Sequence, residues 1–202
     1  MTMSHTSHAQ VDLAPATSPS TLGVADVGRV VASLSPMNDE FHSQPESKVV
    51  TRHERVLFVC SAGGHLAQLL QLQSWYRDHE RLWVTFELPD AVSLLGDEAV
   101  VWGHYPTTRN LPNLWRNTRL AVREIRRMRP TMVVSSGAAI AVPFFWVAKL
   151  FGAKTVYLEV IDRIDTRTMT ARLVSPVTDV IVAQDESQRA LFPGCHVIGP
   201  LL

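Results

Sequence analysis

From residue 55 onward, short apolar runs alternate with longer, two-faced stretches. Residues 55–60 (RVLFVC) are apolar at every position after the first, the pattern of a strand buried on both faces. The same pattern predicts strands over 82–86, 99–102, 131–135, 154–159, 179–183 and 196–198. Between them it predicts helices from the glycine turn at 61–65 to about residue 76, over 89–95, over 113–129, to about residue 151, and over 168–174. Strands alternating with helices build βαβ units. The expected fold is therefore α/β, a doubly wound parallel sheet of Rossmann-like type over residues 51–202. Residues 131–148 carry no charge, but Ser135, Ser136, Gly137 and Pro143 divide them into strand, turn and helix instead of one membrane span.

Residues 1–50 read differently. They are rich in Ser, Thr, Ala and Pro, hold Phe41 as their one aromatic ring, and carry two basic against five acidic side chains. So few large apolar residues do not offset the entropy of ordering, so this stretch is expected to be a disordered tail with a short helix at 24–34. It has neither the basic start nor the apolar run of a signal peptide, and Cys60 and Cys195 form no disulfide or zinc framework. A cytoplasmic setting follows. Across the chain 19 basic and 19 acidic residues balance, which argues against nucleic acid as a partner.

In a doubly wound sheet, ligands bind beyond the carboxyl ends of the strands. The first such end is Ser61-Ala62-Gly63-Gly64-His65. Adjacent glycines let a phosphate or diphosphate approach the backbone, and His65 could hydrogen-bond it or take a proton from a hydroxyl nucleophile. Equally, the glycines make a tight turn and His65 caps a helix. Ser135-Ser136-Gly137-Ala138-Ala139 ends another strand, either holding a crevice open with small side chains or serving as a plain turn. The dinucleotide fingerprint GxGxxG fails at two glycines and no GK[ST] follows, so no nucleotide cofactor is expected, and no metal. Helix 113–129 is two-faced. Leu114, Ala121, Val122, Ile125 and Met128 form an apolar stripe, and Arg116, Arg119, Arg123, Arg126 and Arg127 a basic one. With Arg129 and Glu124 the segment carries +5, which is either a solvated face or a contact for anionic lipid beside Trp115.

Taken together, S-x-G-G-H-L after a strand, the S-S-G-A loop, Glu159, Arg163, Thr170, Arg172 and T-D-x-x-x-x-Q ending at Gln184 resemble a known family. It is that of the polysaccharide-biosynthesis glycosyltransferase subunits, including the membrane-recruiting subunit of the two-subunit UDP-N-acetylglucosamine transferase of the dolichol pathway. The resemblance covers residues 55–202. The GGH loop is also similar to the acceptor-domain loop of the peptidoglycan lipid-intermediate glycosyltransferase. Val160, Ala171 and Asp185 depart from the family's usual Ser, Gly and aromatic residue at those places.

The resemblance implies one half of a GT-B enzyme, the half that holds a polyprenyl-diphosphate-linked sugar, while a separate subunit holds the UDP-sugar. Gly63 and Gly64 would then offer N–H groups to the diphosphate beside Ser61, and His65 would bind it or act as general base. Ser136 and Gly137 would line the crevice. Glu159 and Arg163 would orient the acceptor sugar or simply pair with each other. The chain would sit at the inner face of a membrane without spanning it. A non-catalytic scaffold that recruits the catalytic subunit is the alternative.

Overall fold

A computed structural model describes residues 54–161 and 166–201. The expectations for the 1–50 tail and for Arg163 lie outside these residues. Seven strands, β1 (Arg55–Val59), β2 (Glu80–Thr85), β3 (Val100–Trp102), β4 (Met132–Ser135), β5 (Lys154–Leu158), β6 (Val180–Ala183) and β7 (His196–Val197), form one sheet in the order β3-β2-β1-β4-β5-β6-β7. Every neighbouring pair is parallel. The order reverses between β1 and β4, which makes that junction the topological switch point. The expected doubly wound α/β sheet is thus the observed one.

Among the described residues six α-helices cover it: α1 (Gly64–Leu70), α2 (Gln73–Tyr76), α3 (Pro89–Leu95), α4 (Leu111–Met128), α5 (Ala141–Leu150) and α6 (Met169–Val174). Alternation along β1 sends Val56 and Phe58 to one layer and Leu57 and Val59 to the other. On the first side Phe58 stacks on Trp83, with ring centroids 4.3 Å apart, and Tyr76 meets both edge-on. On the second, α5 lies against α4, α6 and the sheet. Its buried residues include Phe144, Phe145, Val147 and Ala148, which explains why the 131–148 stretch is uncharged. Among the described residues no helix is long and apolar enough to cross a membrane.

Two local expectations need correction. The helix expected to run unbroken to Tyr76 is two short helices. Leu66, Leu69, Leu72 and Tyr76 from both are buried in one cluster against the sheet. On α4, Leu114 is exposed, not buried in the apolar stripe, whereas Asn113, Asn117, Leu120 and Glu124 are buried. The first half of α4 spends its inner face on the loop before it. Asn117 accepts from the His104 N–H (2.9 Å) and donates to the His104 carbonyl (2.8 Å), while Asn113 donates to the Pro106 carbonyl (3.0 Å). Glu124 is tolerated because Arg123 (2.6 Å) and Arg127 (2.8 Å) reach its carboxylate. Two arginines of the expected basic row therefore already hold a partner.

Candidate functional site

At the switch point, the loops after β1 and β4 meet. His65 Nδ1 donates to the Ser136 carbonyl at 2.8 Å, and the Ser136 hydroxyl donates to the His65 carbonyl at the same distance. A carbonyl only accepts, so the proton of a neutral imidazole sits on Nδ1 and Nε2 is the basic nitrogen. Ser136 is fully buried; its place is behind the histidine, which it orients, and not on the crevice wall. Ser135 Oγ accepts from the Gly137 N–H at 3.0 Å and shapes the same turn.

The glycines are there for different reasons. Gly63 has φ 76° and Gly137 φ 121°, conformations in which L side chains are strained. A Cβ on Gly137 would also lie 3.0 Å from His65 Cε1 and 3.2 Å from the Tyr157 hydroxyl. Gly64 is under neither constraint: it lies in the first turn of α1, its φ is ordinary, and nothing stands within 4 Å of an added Cβ. Backbone geometry does not explain that glycine. Gly63 and Gly64 are exposed, and Ser61 and His65 are half-buried at the rim.

Several neighbours were not foreseen. Asp90, in the first turn of α3, accepts the Gly63 N–H on Oδ2 at 2.7 Å, so the group expected to meet a diphosphate is engaged by a carboxylate. Tyr157 backs Gly137, and burial, with the nearby Glu159 carboxylate, pushes its phenol well above the ordinary range, so it stays protonated. Glu159 is fully buried at the end of β5, with Oε1 accepting the Val160 N–H at 3.2 Å. Beneath it lies a glutamine network. Gln184 donates to the Glu159 carbonyl (2.9 Å) and to Gln68 of α1 (3.2 Å), and accepts from the Leu201 N–H (3.0 Å). Gln188 donates to the Val160 carbonyl at 2.8 Å. Of these, Glu159 and Gln184 stood out in the sequence. Asp90, Gln68 and Gln188 are of types common on surfaces, and only a Pro-Asp helix start marked Asp90 at all. Cys60, between β1 and the glycine loop, is buried and its thiol is pushed up to about 12 by burial, so it is no nucleophile.

The five arginines of the basic row are spread along α4. Arg116, Arg119 and Arg123 border a hollow with His104 and Trp115, Arg123 and Arg127 hold Glu124, and Arg126 borders another hollow at the far end of α4.

Known proteins place the fold. The MurG of Acinetobacter baumannii is similar with a TM-score of 0.57 and 19% identity, over 72% of this chain and 45% of that one. The UDP-N-acetylglucosamine 2-epimerase of Rickettsia bellii is similar at 0.56 and 14%, over 69% and 41%. A glycosyltransferase of Rickettsia africae ESF-5 is similar at 0.53 and 14%, over 69% and 39%. The chain spans less than half the length of each. No family model matches it, and neither does any curated protein. At these identities the likeness defines the fold, the Rossmann-like α/β unit found in GT-B proteins.

Gly137→Ala tests how tightly the two loops are coupled. It forces a strained backbone, at a cost of about 1–3 kcal/mol, and moves His65. Urea denaturation and the His65 ring resonances report the two effects. Unchanged stability together with unchanged resonances would contradict the close contact.

Proposed function

We propose that residues 51–202 are the acceptor-binding part of a two-component glycosyltransferase, which adds a sugar from a UDP-sugar to a polyprenyl-diphosphate-linked saccharide. The observation that carries this reading is Gly64. Neither backbone nor packing requires a glycine there, yet its absent side chain clears a path to the loop beside a histidine of fixed tautomer, at the switch point of the sheet. The fold of the solved glycosyltransferase from Rickettsia africae ESF-5 supports it.

The acceptor's diphosphate lies against the Gly63–Gly64 backbone with Ser61 at its side, and its anionic charge displaces Asp90 from the Gly63 N–H. The saccharide's hydroxyl meets His65. Nε2 takes the hydroxyl proton as the oxygen attacks the anomeric carbon of the UDP-sugar; the carbon–oxygen bond to UDP breaks, and UDP leaves with the electron pair. Ser136 and Gly137 keep the imidazole aimed, and Glu159, fully buried, acts on the acceptor sugar only through the Val160 backbone that it holds. The UDP-sugar is brought by the second component, a separate chain in the family that this sequence resembles. One observation favours the scaffold alternative, namely that Asp90 already occupies the Gly63 N–H.

Attachment to the inner face of a membrane fits one end of α4. Leu111, Leu114 and Trp115 are spaced i, i+3, i+4 and exposed at 75%, 40% and 65%, with Arg109, Arg116 and Arg119 beside them. This end lies at the carboxyl edge of the sheet, where the crevice opens. Arg123, Arg126 and Arg127 extend the basic face away from it.

Transfer from UDP-sugar to a polyprenyl-diphosphate-linked acceptor, measured with the cognate second chain, tests the reading. Gly64→Ala keeps or raises stability, since alanine suits a helix better by up to about 1 kcal/mol, yet loses most of the activity. His65→Ala loses roughly a hundredfold or more. Full activity in both variants would leave only the scaffold. For the membrane, vesicle flotation should favour anionic over neutral lipid, weaken with salt, and drop in Trp115→Ala. Equal binding to both lipids at any salt would exclude this attachment.

A further inference from the structure

The far end of α4 holds a second basic site, one that the transfer chemistry does not use. A hollow of about 520 Å³ lies at the amino edge of the sheet, the edge opposite the crevice. Its walls are Arg55 at the start of β1, Ile125, Arg126, Arg129 and Pro130 at the end of α4, and Phe151 before β5.

Three arginines line it, and among the described residues no carboxylate pairs with any of them. The α4 carboxyl end contributes a partial negative charge of about half a unit, which three full positive charges outweigh. One wall of the hollow is held in place. Arg55 Nε donates to the Arg129 carbonyl at 2.9 Å, and the Arg55 backbone is held on both sides by Thr131. Arg129 adopts the left-handed conformation, φ 50° and ψ 58°, at the helix end where glycine is the usual residue. An arginine is thus placed where the backbone favours none, and it lines the hollow with the other two. Ile125 and Pro130 form a buried apolar floor, and Phe151 leaves 52% of its surface exposed at the rim.

From this arrangement we infer that the hollow binds a small organic phosphate, its phosphoryl oxygens on the forked guanidiniums and its apolar part on Phe151 and the floor. Guanidinium forks match phosphate oxygens with paired hydrogen bonds, which selects phosphate over a spherical anion. The apolar surface selects an ester over the inorganic ion. Lying across the sheet from the crevice, the site is separate from the proposed acceptor site, and its occupancy does not depend on that reading.

Calorimetric titration of the full chain with inorganic pyrophosphate, AMP and hexyl phosphate tests it. AMP reports a planar ring, hexyl phosphate an alkyl chain, and pyrophosphate the charge alone. The expected result is saturable one-to-one binding of AMP or hexyl phosphate that is tighter than that of pyrophosphate. It should weaken at least fivefold in R126Q/R129G and stay unchanged in H65A. The double variant keeps its fold, because glycine relieves the left-handed backbone at 129 and position 126 is exposed; its thermal melt checks this. No saturable binding of any probe, or binding weakened less than fivefold by the double variant, would overturn the inference.

Discussion

Two hydrogen bonds of 2.8 Å between His65 and Ser136 join the carboxyl ends of β1 and β4, and the candidate site rests on that clasp. It forms only because the two strands, far apart in sequence, are neighbours in the sheet. Each end of the clasp is itself supported. Ser135 and Gly137 shape one loop, with Tyr157 behind it, and Gly63 turns the other into α1. The buried glutamines then tie α1 to the ends of β5 and β6, so four strand ends and a helix are fixed relative to one another. A histidine held this way has a defined tautomer and direction before any ligand arrives, which is what proton transfer to a positioned base requires.

The fold was legible wherever burial is written as a continuous apolar run. β1, β4 and β5 are covered on both faces and so are hydrophobic at nearly every position. Helix α3 begins at its proline and stops before Gly96, a helix-start and helix-stop pair that sequence carries directly. Of the site, the two small-residue loops and His65 were legible for the same local reason. The rest was not, because it depends on tertiary pairing. A glutamine in a helix looks the same whether it meets water, as most do, or another buried glutamine. Glu124 sits inside only because two arginines reach it, and Leu114 sits outside only because two asparagines took the inner positions to hold a loop. Asp90 lies 27 residues from the N–H that it accepts.

Charge on α4 makes the same point at larger scale. As a one-dimensional pattern its arginines form a single stripe, and the natural inference is one surface. In three dimensions an 18-residue helix is about 27 Å long, so its ends serve different edges of the sheet. The amino end carries exposed apolar side chains, the middle neutralises a buried carboxylate, and the carboxyl end borders a basic hollow.

The proposed acceptor site requires a diphosphate to settle on the Gly63–Gly64 backbone beside His65. Amide resonances read this directly, in the isolated chain and without turnover. Adding a water-soluble, short-chain prenyl diphosphate should shift the Gly63, Gly64 and Gly137 amides together, and should do so at lower ligand concentration in Asp90→Asn, where the competing carboxylate charge is gone. Shifts confined to other parts of the chain, or Gly63 and Gly64 amides that stay in place at saturating ligand, would contradict it.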